Sequence, residues 1–553
     1  MRIGFLLDDF EVQAWAYEAI KKAIEIKSVV PCVLILKNKE STKAATKTRL
    51  RRLLDGDVTF KTLTRFLYYR YAIWDKKRYV KPERDAHALK DVREFLHLTP
   101  VVEVNPRETR YCDWIEGNDL EVIKNYKPDI LLRFGFRILK GPILELPTYG
   151  IWSYHHGDPE KYRGGPSGFW ETYNNEGVVG AVLQRLSDKL DAGQMLARVV
   201  IPASKESPAI TQNDIAWDSS PLLHLCLNKL VMTGDPVLNK KVKILTNGPI
   251  YSTPGLLATL LMITKYIWRK LKEPSRFYVQ HWSIQISPAR QENNSMLLYK
   301  RDFKTLKQPK GKFRADPFLA CVDNKDYLFF EEYDYSTNKG IIKMGEIGSY
   351  GFLNEPIAIL EDDNHLSNPF VFYENGTLYL LPEQAQSGEV SLYRCVEFPM
   401  QWEKCAVLLK DGYYVDPLLF KKDDKWWLFC VERLSNKGSS TTYAKLWYAE
   451  CLEGPWQEHP SNPISTDCRY SRSGGSIIQK NNQIVRVVQD CSKGYGYQIN
   501  YLRVKHLSET DFEEELIGAI SPQRLGVDGI HTINMGRTLT VIDSRKKTFR
   551  YRI

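Results

Sequence analysis

At 553 residues the chain is long enough for two or three domains, and 43% hydrophobic content gives each a sizeable core. The ten cysteines show no short paired spacing, which excludes a zinc cluster and points to a reducing compartment, and no apolar run reaches the roughly 18 residues of a membrane span. The net charge of +10 is concentrated: residues 47–84 hold 12 Lys/Arg against 4 Asp/Glu, a local +8 that suits RNA, nucleotide phosphates or an anionic membrane face.

The N-terminal run Met1 to Asp9 is too short in apolar residues for a secretory signal and reads as a first strand, Arg2 to Leu7. Helical periodicity from Val12 to Ile26 and an apolar strand from Val29 to Leu36 complete a βαβ unit of a parallel sheet. No Gly-x-Gly-x-x-Gly follows the first strand, so a nicotinamide cofactor is not expected. Residues 41–98 read as a basic helical insert. Thr48 to Leu54 and Leu63 to Trp74 interleave Arg49, Arg51, Arg52, Arg65 and Arg70 with Phe66, Tyr68, Tyr69, Tyr71 and Trp74. Such a pattern suits a membrane surface or nucleic acid, or a packed insert with a solvated basic face.

Further strands are expected at Val101–Val104 and Pro128–Phe134, with a helix at Asp119–Tyr126 between them. A strand from Tyr149 to Tyr154 ends in His155-His156 and enters a Gly/Pro-rich loop to Pro166. A helix-like run, a strand from Gly177 to Leu186 and Asp191-Ala192-Gly193 follow. A histidine at a strand end facing such a loop, with a carboxylate arriving from a later strand, can form a general-base pair. Ala197 to Pro202 closes this core, and residues 204–250 carry one helix, Ser220 to Met232. The apolar run Pro254 to Lys272, with its basic aromatic end, suits an interfacial helix or one docked between two domains.

From Phe277 short strands replace helical periodicity, and a repeat of about fifty residues appears at positions 316, 368, 416, 475 and 531. Five units at that period make a five-bladed propeller. Closure would bring Asp316, Asp416 and His531 together, with Glu332, Glu383 and Glu432 one strand outward and Arg472 and Asp490 joining from the fourth unit. Paired carboxylates there can hydrolyse a glycoside. Alternatively, Asp-Pro is a blade-start turn and the acids bind sugar or a cation without chemistry.

The core around His155 resembles the formyltransferase family that uses 10-formyltetrahydrofolate, whose pattern is Asn-x-His, then Pro-x-Tyr-Arg-Gly, then Asp-x-Gly. His155, Tyr162-Arg163-Gly164 and Asp191-Ala192-Gly193 take those places, with a gap of 191 − 155 = 36; Ser153 replaces the Asn and Glu160 the Pro. The resemblance implies that Phe134, Gly135, Phe136, Ile138 and Leu139, with Tyr162, Arg163 and Gly164, hold the folate. It further implies that His155 takes the amine proton, Asp191 holds His155, and Ser153 donates to the oxyanion. The repeats resemble a glycoside hydrolase clan and the domain beside a plant transferase that glycosylates inositol phosphorylceramide.

The expected architecture is thus an α/β formyltransferase-like domain with a Rossmann-type parallel sheet (1–203), a helical connector (204–276) and an all-β five-bladed propeller (277–553). The expected activity is N-formylation of an amino sugar, nucleotide- or lipid-linked, in surface polysaccharide synthesis. Formyl comes from 10-formyltetrahydrofolate, a glycan sits at the propeller, and no metal takes part. The alternatives are a propeller-based glycosidase or glycosyltransferase-like enzyme with an inactive first domain, and a carbohydrate-binding scaffold. A tRNA partner is not expected, because the propeller stands where the tRNA-binding barrel of methionyl-tRNA formyltransferases would be. The expected location is the cytoplasm, with peripheral contact at the inner membrane face.

Overall fold

The computed structural model describes residues 1–38, 60–109, 111–188, 193–234, 248–272, 277–289, 298–435, 437–439, 441–480 and 482–549. The chain divides into two compact units, Met1–Arg269 and Lys270–Ile553. The helices of residues 208–233, expected in a connector, belong to the first.

The first unit is built on a seven-stranded sheet. Its strands are β1 (Arg2–Leu7), β2 (Val30–Lys37), β3 (Val101–Val104), β4 (Ile130–Arg133), β5 (Ile151–His156), β6 (Val178–Arg185) and β7 (Gln194–Pro202), in the order β7-β6-β5-β4-β1-β2-β3. Near-continuous apolar runs in β1, β2 and β4 match strands buried on both faces. Gly4 lies where the central strands pack closely, since a Cβ there would meet the Leu131 side chain at 2.6 Å. Strands β3, β2, β1, β4 and β5 are parallel, whereas β6 runs antiparallel to both neighbours, so the sheet is mixed rather than wholly parallel. A parallel step needs a long crossover. The connection after β5 carries only the six-residue helix Phe169–Asn174, and the chain returns beside β5 in the opposite sense. The strand order reverses between β1 and β4, which opens a crevice at their carboxyl ends.

Two helices, Pro208–Ser219 and Pro221–Thr233, stand where one was expected. The first is buried nearly all round, including Asn213 and Asp218, so it carries no amphipathic stripe for a sequence pattern to reveal. Helix Phe60–Tyr79 covers the expected Leu63 to Trp74 segment; Thr48 to Leu54 lies outside the described residues. That helix is pinned by Asp75, whose Oδ2 accepts from Ser207 Oγ at 2.8 Å and from the Ala209 amide at 2.9 Å. Helix Leu256–Lys272 packs Met262 against Tyr68, Tyr71 and Phe169.

The second unit is all-β and holds five antiparallel sheets among the described residues. The first strands of three of these sheets share one device. Asp316, Asn368 and Asp416 have φ of 50°, 42° and 49°, each precedes a proline, and each ladder slips register there. Proline donates nothing to a ladder, and short polar side chains tolerate the left-handed region, so each position becomes a bulge that turns a side chain inward. The bulges are tied across sheets: Asn368 Nδ2 donates to Pro417 O at 3.2 Å, and Asn534 Nδ2 to Pro317 O at 2.7 Å.

Candidate active site

Strand alternation sorts the end of β5. Tyr154 and His156 point towards the helices. The Tyr154 hydroxyl donates to Ser220 O at 3.1 Å and accepts from the Leu223 amide at 3.0 Å. His156 Nε2 lies 3.0 Å from Ser219 Oγ, and its ring meets Trp15 edge-on at 4.8 Å. Burial, helped by the positive charges of His87 and His155, pushes the His156 pKa down to about 3, so this ring is neutral and structural.

His155 points to the other side, into a cavity of about 760 Å³ also lined by Arg133, Ile138, Leu139, Leu186 and Ile250. That volume and its largely apolar walls are those of a small-molecule site. Gly164 reaches the same cavity at φ +78°, where a side chain would strike the carbonyl of Tyr251. Tyr162 and Arg163 do not line it. Tyr162 OH donates to Glu176 Oε1 at 3.0 Å, accepts from Asn174 Nδ2 at 2.9 Å and stacks on Tyr251 at 5.1 Å, while Arg163 pairs with Ile250. The two residues fasten the loop. Phe134, Gly135 and Phe136 also stand behind the cavity wall. Phe134 packs on Trp15 and Tyr154, Gly135 donates to Leu6 O, and Phe136 joins the core beside Leu139. Of the expected folate contacts, Ile138, Leu139 and Gly164 face the cavity. Asp191 lies outside the described residues.

Ser153 sits on the His155 face but is only 2% exposed, so its hydroxyl does not reach the cavity as expected. It is an inner-strand residue covered by Arg133, which does reach it. Arg133 Nη1 donates to Ser153 Oγ at 2.9 Å, Nη2 to Phe136 O at 2.9 Å and Nε to Arg137 O at 3.2 Å. These partners are all neutral. Burial lowers the Arg133 pKa, offset in part by the charges of Asp8 and Asp113. A buried guanidinium with neutral partners at a cavity wall favours negative charge there. Sequence reasoning missed Arg133, although an arginine ending an otherwise apolar strand beside the His155 strand was the signal.

The second unit gathers a charged cluster at its bulges. Asp316 Oδ1 lies 3.5 Å from His531 Nε2, and His531 Nδ1 is paired to Asp543. Arg472 donates to Asp416 from Nε at 2.5 Å and Nη2 at 2.8 Å and stands 3.6 Å from Glu383, whose Oε2 accepts from the Asp416 amide at 2.8 Å. Trp282 stacks on His531 at 3.9 Å, and Arg472 lies over Tyr495 at 4.8 Å. Burial, reinforced by the charge of Asp416, raises the Glu383 pKa to about 8. Burial would lower His531, but Asp543 and Asp316 outweigh it and hold the imidazole above its usual value. Asp316, His531 and Asp543 each offer a ligand atom, all within 4.8 Å of one another, a grouping that could hold a cation and that no sequence spacing announces.

Three expected members lie elsewhere. Glu332 pairs with Arg314 at 3.0 Å and Lys343 at 3.2 Å, Glu432 with Lys445 at 2.8 Å, and Asp490 accepts from Ser492 N and Gln498 Nε2. The register explains it. Glu331 and Glu383 stand opposite the residue just before their bulges, whereas Glu332 and Glu432 stand opposite the residue one further back and so face the other way. Glu331, whose pKa is raised by burial and by the neighbouring charges of Asp316, Glu383 and Asp543, is the residue equivalent to Glu383.

Residues 302–525 match the family model described as glucosamine inositolphosphorylceramide transferase 1, N-terminal. Glucosamine inositolphosphorylceramide transferase 1 of Arabidopsis thaliana is 34% identical over 207 residues, 37% of this chain and 27% of that protein. A methionyl-tRNA formyltransferase of Halalkalibacterium halodurans is 29% identical over 159 residues, 29% of this chain and 44% of that protein. The bifunctional polymyxin resistance protein ArnA of Wigglesworthia glossinidia brevipalpis is 27% identical over 159 residues, 29% of this chain and 21% of that protein. The chain therefore spans less than half the length of these relatives, and it joins similarity to a methionyl-tRNA formyltransferase with similarity to glucosamine inositolphosphorylceramide transferase 1.

Proposed function

We propose that the first unit is an N-formyltransferase acting on the amine of an amino sugar, nucleotide- or lipid-linked, and that the five sheets of the second unit are the blades of a propeller that binds glycan. The carrying observation is the pair His155 and Arg133, set on adjacent parallel strands at the carboxyl edge of the sheet and both lining the 760 Å³ cavity. The apolar wall of Ile138, Leu139, Leu186 and Ile250 fits a flat ring system, and Arg133 and His155 stand among its polar residues with Lys140, Gln184 and Ser187. 10-Formyltetrahydrofolate, when bound, supplies the formyl group.

His155 accepts the proton that the attacking amine loses. Arg133 directs N–H groups to the oxygen on which negative charge grows, a preorganised donor that costs no rearrangement during reaction. Ser153 orients Arg133 by accepting from its Nη1. Asp191 acts on His155 in this reading, which rests on the family spacing. The similarity to methionyl-tRNA formyltransferase supports the chemistry, and the similarity to glucosamine inositolphosphorylceramide transferase supports a sugar. In the second unit, buried carboxylates already paired to Arg472 and His531, beside Trp282 and Tyr495, suit binding rather than hydrolysis.

The test is a thermal-shift screen of the full chain against 5-formyltetrahydrofolate and nucleotide-linked amino sugars, followed by a formyl-transfer assay on the hits. Stabilisation by the folate with formylated product supports the reading. Absence of both, in a folded protein, removes it.

A further inference from the structure

Helix Leu256–Lys272 is apolar on the wrong side for a water-facing helix. Its inner face, with Thr259 and Met262, is buried against Tyr68, Tyr71 and Phe169. Its outer face carries Leu257, Leu260, Leu261, Ile267 and Trp268 at helical spacing, with Leu257 72% and Trp268 66% exposed. A surface helix normally presents polar residues there. Exposed apolar stripes of this size mark contacts with a membrane or a partner.

The neighbouring helix repeats the feature. Phe60–Tyr79 touches the first through Trp74 and Tyr266, whose rings are 5.3 Å apart, and exposes Phe66, Tyr69, Ile73 and Trp74. The charge decides the occupant. Leu256–Lys272 contains Lys265, Arg269, Lys270 and Lys272 and no acid. Phe60–Tyr79 contains one acid, Asp75, which is buried and bound to Ser207, while Arg65, Arg70 and Lys77 are exposed. Lys265 is committed to Tyr173 O, which leaves the basic character at the C-terminal end of the helix and on its neighbour. Apolar side chains with Trp, on helices whose exposed charges are cationic, suit the headgroup boundary of an anionic bilayer. No helix among the described residues is long and apolar enough to cross a membrane.

We propose that these two helices are a docking surface that seats the first unit on anionic lipid, with Leu257, Leu261 and Trp268 entering the headgroup layer and Arg70, Lys77 and Arg269 meeting lipid phosphates and carboxylates. The proposal is independent of the formyl-transfer reading, since none of these residues lines the cavity.

The experiment is flotation of the full chain with phosphatidylcholine vesicles, with and without phosphatidylserine. At least about tenfold more protein should float with the anionic vesicles, and high salt should reduce it by screening. Leu261→Asp/Trp268→Asp should abolish flotation, and Arg70→Glu/Arg269→Glu should remove the preference for phosphatidylserine. The substituted positions are at the surface, and melting curves should match the wild type. Failure of the wild type to float, or unchanged flotation of Leu261→Asp/Trp268→Asp, overturns the proposal. So does a dimer in light scattering that those substitutions dissociate, because the stripe then faces a second copy of the chain.

Discussion

Arg133 donates from Nη1 to the hydroxyl of Ser153 at 2.9 Å, and of the two it is Arg133 that reaches the cavity beside His155. An amide at position 153 would compete for the space and hydrogen bonds that now fix the guanidinium. The serine and the arginine are therefore one arrangement and should be tested together.

Arg133→Ala should lower formyl-transfer turnover by about 10²–10³, the usual cost of one oxyanion donor. Ser153→Asn should lower turnover while Arg133 is present, because the amide displaces the guanidinium from its Ser153 contact, and should recover part of the loss in Arg133→Ala. Single-turnover kinetics with each variant measures both. An Arg133→Ala enzyme of wild-type rate removes the guanidinium from the mechanism.

His155→Ala should cost at least about 10² in turnover while folate binding persists. His156→Ala should do the reverse. It should lower the melting temperature, because its contacts with Ser219 and Trp15 are lost, and leave turnover per folded molecule within a few-fold. Equal losses of turnover in the two variants would contradict the strand alternation on which the assignment rests.

Glu171 is 2% exposed, and neither carboxyl oxygen has a side-chain partner; burial raises its pKa to about 7. The folded chain therefore binds a proton more tightly than the unfolded chain. This contribution to stability is complete below the ordinary glutamate pKa and is lost as pH rises towards about 7. Glu171→Gln should remove the dependence and gain on the order of 2–3 kcal/mol relative to wild type at pH 8. The check is the difference in melting temperature between variant and wild type from pH 5 to 8; a difference constant with pH rules the carboxyl out.

In the second unit, Arg472→Gln should destabilise by about 3–5 kcal/mol, since Asp416 and Glu383 would lose their buried cation. The double variant Arg472→Met/Asp416→Asn should recover part of it, since asparagine tolerates the left-handed backbone at 416 and still accepts from Gln489. Urea denaturation followed by tryptophan fluorescence reports both. Asp316→Asn should weaken glycan binding, measured by calorimetry, with formylation of a small soluble amino sugar unchanged.

The sheet of the first unit was legible because its strands are apolar runs separated by a clear helical period, and His155 because alternation and its loop mark it. Helix Pro208–Ser219 was not, because a helix buried all round has no polar face to set its period. Arg133 was passed over because position on a strand says little about which neighbour a long side chain covers. The charged cluster was legible in Asp316 and Asp416, which recur with proline, and in Glu383, but not in Glu331. A two-residue bulge shifts the pairing, so adjacent Glu331 and Glu332 exchange inside for outside, and sequence spacing carries no mark of the shift.

Strands Tyr278–Pro288 and Leu539–Phe549 pair along their whole length, with Ser283 opposite Ser544 across 261 residues of chain. During synthesis the earlier strand therefore waits for its partner. At about 5–20 residues per second that wait is roughly 13–50 s. Throughout it, Ile284 and Ile286, fully buried once the pair forms, stand on an open strand edge that any other extended segment can join. The pairing that completes this sheet thus leaves the nascent form with an open apolar edge, and faster translation of residues 289–538 shortens that exposure.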